Sequence, residues 1–469
     1  MSADLCFARL TRTILRVGLL GWVASVSVSL AAQAPAPTFP MTLQQAVQQA
    51  VGNYPAVLAS AARVAAQEAN VGLAHTAYLP RIDTSLQINR ATRNNVAGLM
   101  LPGTTVPPIS GPVSDVSSSG IWGSAGALLL SWEAFDFGQR SASVDVARTL
   151  VDRATATAQL TRLDVATRTA DAFLRLAAAQ EMVRAARANV ERQQIFANVV
   201  VALVKNQLRP GADESRAQAE LAAARIQLIQ AEQADRVARA GLAQWVGADP
   251  ADVRISTDSL LATPPASTSD TATAVAKHPL AETQMAAVES SQALQHALSR
   301  SYFPRVSVQT AYSLRDAGAT AGGVNLGGTH GLGFDTPNWA VGFTATFPLF
   351  DYFSLRERTR IEAQNERAER ASYDRVVREL SAQSAQAEAE LEGARQIALN
   401  TPVQLQAARV LEQQSRARYD AGLATIIEVA DAQRLLLQAE VGDAVARLGV
   451  WRALLADAAA RGDVSALLK

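Results

Sequence analysis

The residue types that most often carry catalysis or bind metals are sparse in this sequence. It has four histidines and one cysteine, namely His75, His278, His296, His330 and Cys6. No histidine lies in an H-E-x-x-H pattern or beside a cysteine, the spacings typical of zinc sites. A glycine-rich run at 318–333 lacks the following Lys-Ser/Thr pair of a phosphate-binding loop. We therefore predict that the protein is not an enzyme and that it binds no metal or cofactor.

The charged residues are balanced, with 43 Lys and Arg against 43 Asp and Glu. A nucleic-acid-binding protein usually has a basic excess, so this balance argues against nucleic acid as a partner. Aromatic residues make up only 5% of the chain, whereas Ala, Gln, Arg and Glu recur throughout. This composition favours long helices over a dense globular core.

The N-terminal segment predicts an export signal over residues 1–34. Three arginines between positions 9 and 16 precede an apolar stretch at 17–30, and Ala32-Gln33-Ala34 fits a peptidase cleavage site. Cleavage two or three residues earlier is an alternative because Pro35 follows directly, and a buried helix or a membrane anchor is the alternative to export. Beyond this segment no apolar run reaches about 18 residues, so we predict no membrane-spanning helix. Cys6 lies within the signal, so the mature chain would have no disulfide.

Four short motifs recur in the same order in the two halves of the chain. Two recur 224 positions later: Tyr54-Pro55 as His278-Pro279, and Leu79-Pro80-Arg81 as Phe303-Pro304-Arg305. Two recur 215 positions later: Phe135-Asp136 as Phe350-Asp351, and Ala217-Gln218 as Ala432-Gln433. The conserved order and nearly constant spacing predict an internal duplication. The predicted parts are a first unit at 35–246, a Pro-, Ser- and Thr-rich linker at 247–269, a second unit at 270–462 and a tail at 463–469.

Each unit has the same predicted order of elements. It begins with a helix, at 42–77 in the first unit and at 271–300 in the second. Two alternating strands follow, at about 81–90 and 121–132 and again at about 305–314 and 339–347. Two helices then form a long hairpin, at 138–207 and 212–246 in the first unit and at 354–421 and 425–460 in the second.

The predicted strands have the length and pattern of membrane-crossing strands. They are about 9 to 10 residues long, enough to cross a bilayer when tilted, and they alternate apolar with polar residues. Four strands cannot close a barrel, and an open sheet edge in lipid would leave backbone groups unpaired. Two copies would give eight strands with a filled interior, whereas three would give twelve with room for a channel. We therefore predict a trimer; a soluble four-stranded sheet with one wet face is the alternative.

The long helices must pack lengthwise against other helices. A run of roughly 65 residues would be about 100 Å long at 1.5 Å per residue, which exceeds ordinary globular helices. A periplasmic coiled-coil scaffold without a pore is the alternative that the helices alone leave open.

These motifs together resemble the TolC family of outer-membrane efflux proteins. The resemblance extends from Thr42 to about Gly462 and includes Thr42-Leu43-x-x-Ala46 and Phe135-Asp136-Phe137-Gly138. Its strongest part runs from Tyr419-Asp420-Ala421-Gly422-Leu423 into Glu428-Val429-Ala430-Asp431-Ala432-Gln433. The resemblance implies a mostly α-helical fold in which a homotrimer forms a twelve-stranded β-barrel in outer-membrane lipid, with four strands per chain. A long α-helical barrel would continue into the periplasm.

The resemblance also implies a function. The protein would be the exit duct of a tripartite efflux system that expels small molecules, with a periplasmic adaptor protein joining it to an inner-membrane transporter. The alternative within the same architecture is an outlet for type I protein secretion.

The family's gate at the periplasmic tip maps onto four residues here, Tyr419, Glu428, Asp431 and Asp213. Glu428 and Asp431 lie three apart on one helix face, so three chains would form two stacked carboxylate rings that favour cations. The arginine that the family has near this turn corresponds to Ala424. A substitute ion pair between the two tips would draw on Asp213 with Arg209 or Arg216 nearby. The alternative is that all of these are solvated turn charges.

The resemblance also suggests that an adaptor docks at the two helix-loop-helix turns. The predicted docking residues are Leu208, Arg209, Gly211, Gly422, Leu423 and Ala424.

Overall fold

The computed structural model describes residues 40–92, 120–257, 260, 275, 277–319 and 324–468. The predicted signal peptide at 1–34 lies outside these residues, as do most of the first strand-connecting loop and much of the predicted linker.

Seven helices and four strands make up the described part of the chain. The helices are α1 (Leu43–Asn53), α2 (Pro55–Thr76), α3 (Gln139–Lys205), α4 (Gly211–Val246), α5 (Pro279–Arg300), α6 (Tyr352–Asp420) and α7 (Ile426–Ala460). The strands are β1 (Arg81–Thr92), β2 (Gly120–Phe135), β3 (Arg305–Ala317) and β4 (Thr336–Thr346), and a short 3-10 helix (Ser465–Leu468) follows α7. The predicted fold class, mostly helical with four strands, is confirmed.

The helix predicted at 42–77 is wrong in one respect, because the structure divides it at Tyr54. The backbone of Tyr54 is extended (φ −66°, ψ 131°), and Pro55 is the first residue of α2. Proline disfavours a helical conformation in the preceding residue, but its fixed φ suits the first helical position. In the second unit His278 is likewise extended (φ −67°, ψ 132°) and Pro279 is the first residue of α5, while the predicted helix start at 271 lies outside the described residues.

The four strands form one antiparallel sheet in the order β1-β2-β3-β4. The register places Thr84, Leu128, Tyr312 and Trp339 in one row across the sheet, and Trp132, Val308 and Phe343 in another. Directly opposed residues share a face, so these rows form an apolar face. The intervening rows form a mainly polar face, with Ser131, Gln309 and Gly342 in one row and Ser85, Ala127, Ser313 and Asn338 in another.

The two long helices each turn back as a hairpin. α3 has 67 residues and α6 has 69, so each is roughly 100 Å long at 1.5 Å per residue. α3 packs against α4 and α6 against α7, and the two hairpins meet where α3 contacts α7. Pro402 lies within α6 without ending it. None of the described helices combines the length and apolarity that crossing a membrane requires.

The described part of the predicted linker packs into the structure. Met41 N donates to Arg254 O (2.8 Å), and Ser256 N donates to Met41 O (3.0 Å). Trp451 Nε1 donates to Leu260 O (2.8 Å), and the Leu260 side chain is buried in the core formed with α1, α3, α4 and α7. This segment therefore joins the end of the first unit to the last helix of the second.

Candidate functional site

The two hairpin tips form the candidate site. The first tip, residues 204–216, joins α3 to α4, and the second tip, residues 419–431, joins α6 to α7. Both turn through a residue with a left-handed backbone, Gln207 (φ 60°) in the first and Gly422 (φ 76°) in the second. Glycine adopts this conformation readily, whereas glutamine does so with strain.

The two turns repeat each other bond for bond at a spacing of 215 residues. Leu208 N donates to Leu203 O (2.9 Å), and Leu423 N donates to Arg418 O (2.8 Å). One residue earlier, each left-handed residue donates its N–H to the carbonyl three positions back, at 2.9 Å in both tips. Each long helix thus ends with the same hydrogen bonds, so side chains account for the difference between the tips.

The helices that leave the two turns begin differently. α7 begins at the N-cap Thr425, whose N–H donates to Glu428 Oε1 (3.1 Å) in a capping box. The equivalent residue before α4 is Pro210, which makes no side-chain cap. Asp213 and Glu214 lie in the first turn of α4, where a carboxylate interacts favourably with the helix dipole.

Tyr419, at the end of α6, is buried between the two hairpins. Its exposed fraction is 0%, and Phe196 of α3 packs edge-on against its ring with centroids 5.4 Å apart. The residues around it come from α3, α4, α7 and the second turn: Phe196, Ala197, Val200, Ala217, Leu221, Ala424, Ile426 and Val429. Tyr419 therefore stabilises the contact between the hairpins.

Two side chains of the first tip bind Tyr419. Arg209 Nη2 donates to the Tyr419 carbonyl oxygen (2.7 Å), and its guanidinium carbon lies 4.4 Å from the ring centroid. Such a cation–π contact adds to the hydrogen bond. The Tyr419 hydroxyl donates to Asp213 Oδ2 at 3.4 Å. The interaction between the tips is therefore carried by a tyrosine held between an arginine and an aspartate, and not by the ion pair that the sequence suggested as a substitute.

Burial of Tyr419 raises the pKa of its phenol above the ordinary value, and the charge of Asp213 adds to this effect. Arg209 acts in the opposite direction. A phenol is protonated at neutral pH, and the upward shift favours this state further, so the hydroxyl can donate to Asp213.

The two acidic residues of the second tip are accessible, and each has an arginine partner in its own chain. Glu428 Oε2 lies 3.6 Å from Arg418 Nη1, on the other side of the hairpin turn. Asp431 Oδ1 lies 2.6 Å from Arg434 Nη2, three residues further along α7. Glu428 also accepts the hydrogen bond of the capping box, so its position has a structural role of its own. Their place in carboxylate rings stays a prediction.

The tip residues predicted to dock an adaptor differ in accessibility. Leu208 is 67% exposed and Leu423, the equivalent residue of the second tip, is 71% exposed. Ala424 is only 6% exposed because it packs into the Tyr419 cluster. A partner would therefore reach the two leucines but not Ala424 in this arrangement.

Sequence reasoning missed the contacts of Arg209 and Phe196 with Tyr419. One feature of the sequence pointed to Arg209, because the 215-residue spacing of the repeat places it at the position of Ala424, where the family has an arginine.

In the part of the chain that the structure describes, no group of three or more His, Cys, Asp or Glu side chains is arranged to hold a metal.

Comparison with known proteins gives matches over most of the chain. The family model described as "outer membrane efflux protein" matches residues 46–248 and 273–456. Protein CyaE of Bordetella pertussis is 29% identical over 211 residues, an alignment that covers 45% of this chain and 40% of CyaE.

Solved structures share the fold at low sequence identity. The outer-membrane channel OprN is 22% identical, with a TM-score of 0.72 over 90% of this chain and 89% of OprN. The CmeC outer membrane channel of Campylobacter jejuni is 16% identical, with a TM-score of 0.72 over 90% of this chain and 85% of CmeC. The MtrE outer membrane channel of Neisseria gonorrhoeae, in its open state, is 17% identical, with a TM-score of 0.70 over 91% of this chain and 89% of MtrE.

Proposed function

The chain belongs to the outer membrane efflux protein family, and we propose that three copies of it form the exit duct of a tripartite efflux system that expels small molecules. The protein is an outer-membrane efflux channel and not an enzyme, and its helices project into the periplasm.

The observation that carries the proposal is the sheet, which has one apolar face and two free edges. Among the residues that the structure describes, β1 and β4 each pair on one side only, and unpaired strand edges cannot be exposed to lipid. Large apolar side chains such as Leu86, Trp339 and Phe343 are exposed on the apolar face of a single chain. Pairing β4 of one copy with β1 of the next would satisfy both edges. Three copies would close twelve strands, with the apolar face toward lipid and the polar face toward a lumen.

The hairpins support the proposed partners. They are long enough to extend well beyond the bilayer, whose hydrocarbon core is about 30 Å thick. Their tips expose Leu208 and Leu423, two apolar anchors that three chains would repeat six times around the end of the duct. A periplasmic adaptor protein would bind this end and connect it to an inner-membrane transporter.

The proposal is tested by assembly and by transport. Light scattering of the purified protein in detergent should give about three times the mass of one mature chain. Cells that lack the protein should accumulate a fluorescent small-molecule efflux substrate, and the wild-type gene should restore its export. A monomer in detergent would contradict the trimeric duct. Normal dye export, combined with loss of a secreted protein from the medium, would instead favour the outlet for protein secretion.

A further inference from the structure

The junction between β2 and α3 is held by contacts within the chain. The Asp136 side chain is buried, and Arg140 Nε donates to Asp136 Oδ2 (2.9 Å). The guanidinium carbon of Arg140 lies 4.7 Å from the centroid of the Tyr78 ring. Phe137 stacks on Phe303 with ring centroids 5.8 Å apart. The charged pair and Phe137 of this junction therefore have their partners in the same chain.

The equivalent junction between β4 and α6, residues 347–360, exposes large apolar side chains. At the 215-residue spacing Leu355 replaces Arg140, so the ion pair of the first junction cannot form here. Leu349, Phe350 and Phe353 are 76%, 89% and 70% exposed. In the first unit the residues equivalent to Leu349 and Phe353 are only an alanine and a glycine. The second junction therefore presents more apolar surface than the first.

This surface continues the apolar face of the sheet. Trp339, Val341 and Phe343 alternate along β4 on that face, and the exposed Phe347 follows at the same spacing. With the sheet in the outer membrane, as proposed above, and the helices in the periplasm, the second junction lies at the periplasmic leaflet. Aromatic residues are enriched at this level of membrane proteins, where acyl chains meet headgroups.

Two arginines follow the exposed aromatic residues along α6. Phe353, Arg356 and Arg360 are spaced i, i+3 and i+7, so they share one face of the helix. Both arginines are exposed, and Arg360 lies 3.6 Å from Glu357, whereas Arg356 has no acidic partner in the described part of the chain. Counted from Tyr352, they lie about 6 and 12 Å along α6. Helical side chains lean toward the N-terminus of their helix, so both can reach back to the membrane surface.

The first unit has no counterpart of this basic face. The residues equivalent to Arg356 and Arg360 are Ser141 and Asp145. At these two positions the positive charge therefore occurs only in the second unit, beside the larger apolar surface.

We propose that the second junction binds an anionic phospholipid of the periplasmic leaflet. Phe350 and Phe353 lie among the acyl chains, and Arg356 and Arg360 donate charge-assisted hydrogen bonds to the phosphate, which the guanidinium group suits. A headgroup with net negative charge, such as that of phosphatidylglycerol, is preferred over phosphatidylethanolamine, whose ammonium group offsets its phosphate. This inference rests on the proposed function, which places the apolar face of the sheet in the outer membrane.

Native mass spectrometry of the protein in detergent, titrated with phosphatidylglycerol, tests this inference. Wild type should bind about one phosphatidylglycerol per chain and should bind phosphatidylethanolamine several-fold more weakly. In Arg356→Gln/Arg360→Gln the affinity for phosphatidylglycerol should fall by about tenfold. Arg148→Gln/Arg153→Gln removes two exposed charges from the corresponding part of α3 and is the matched control, with unchanged affinity. Arg356→Gln alone serves if the double variant does not fold.

Two further measurements separate a lipid site from a site for free phosphate. Phe353→Ser keeps both arginines but removes an apolar contact, so it should also weaken phosphatidylglycerol binding. Glycerol 3-phosphate has the headgroup phosphate without acyl chains and should not displace the lipid. Displacement by glycerol 3-phosphate at an equal concentration, with full affinity retained in Phe353→Ser, would overturn the proposed lipid site.

The remaining outcomes separate this inference from the proposed function. Equal affinity in wild type and Arg356→Gln/Arg360→Gln would overturn the inference. Loss of the trimeric mass in this variant alone would overturn it as well, because the two arginines would then belong to a contact between copies. A wild-type protein that stays monomeric would contradict the proposed trimer, while its preference between the two phospholipids would still test the site.

Discussion

The two hairpin tips have the same backbone turn but contribute different side chains to the contact between them. The first tip contributes Arg209 and Asp213, and the second contributes Tyr419, which both of them bind. Nothing comparable occurs in the reverse direction, since residue 204, the equivalent of Tyr419, is a valine. The duplicated units thus share the same turn, but their side chains differ, so that residues of the first tip hold Tyr419 of the second. A change in the first tip should therefore loosen the second.

The largest effect on this asymmetry is expected from Tyr419→Ala. Removing a fully buried aromatic ring costs about 3–5 kcal/mol, so both tips should lose protection together. Hydrogen exchange followed by mass spectrometry should show faster exchange in residues 204–216 and 419–431. Tyr419→Phe keeps the ring and removes only the hydrogen bond to Asp213, so its effect should be much smaller. Unchanged exchange in the alanine variant would mean that Tyr419 does not join the tips.

Arg209→Ala should produce the next largest effect. It removes a charge-assisted hydrogen bond and a cation–π contact, together worth about 1–3 kcal/mol. The second tip, which carries no mutation, should exchange faster. Arg216→Ala is the control, because Arg216 lies in the same tip but is exposed. If both variants affect the second tip equally, the specific role of Arg209 is refuted.

Much of the fold could be predicted from local patterns. Alternation along 305–314 and 339–347 predicted β3 and β4, because a two-faced sheet imposes a period of two on its sequence. The helix predicted from 425 begins at Ile426, where the structure shows a capping box formed by Thr425 and Glu428. The break at Tyr54-Pro55 was missed, although proline at the first helical position has a known physical preference.

The contacts of the site could not be predicted in the same way. Arg209 and Tyr419 are 210 residues apart, and no local rule connects their side chains. The burial of Gln433 was equally hidden, since its repeat partner Gln218 has the same residue type and is exposed. These properties depend on how the α3–α4 and α6–α7 hairpins pack against each other, which is a tertiary feature.

The charges of the second tip offer a third test, through Glu428→Gln and Asp431→Asn. Glutamine at the third helical position still supports a capping box, so the change removes charge and retains the cap. If three copies place these carboxylates around a constriction, block of the channel by divalent cations should weaken in the double variant. Asp213→Asn, in the first tip, should have less effect on cation block. Identical block in wild type and double variant would show that Glu428 and Asp431 do not line the pore.

The smallest effect concerns the other pair of repeated residues, Tyr54 and His278. The Tyr54 ring packs against the Trp245 ring at a tilt of 32°, with ring centroids 4.9 Å apart. His278 instead caps α5, because its Nδ1 accepts from Leu280 N (3.1 Å) while its Nε2 contacts Ala459 O (3.2 Å). Burial lowers the pKa of His278 below its ordinary value of 6.5, although the Ala459 carbonyl opposes this.

The lowered pKa predicts that His278 makes the stability of the protein depend on pH. A lowered folded-state pKa means that the stabilising contribution of His278 is present above about pH 6.5 and declines as the pH falls below that value. His278→Asn keeps a capping acceptor, so its melting temperature should fall less between about pH 7 and 5.5 than that of wild type. His296→Asn, at an exposed site, should behave like wild type. An unchanged pH slope in His278→Asn would contradict this assignment.

The most direct test of the account is the single-channel conductance of the Arg209→Ala/Tyr419→Phe double variant in planar bilayers. Light scattering should first confirm that the variant has the same assembly mass as wild type. If the first tip holds the second in the closed position, the double variant should open more often and conduct several-fold more current than wild type. Equal conductance from intact assemblies of both proteins would contradict the claim that these contacts close the duct.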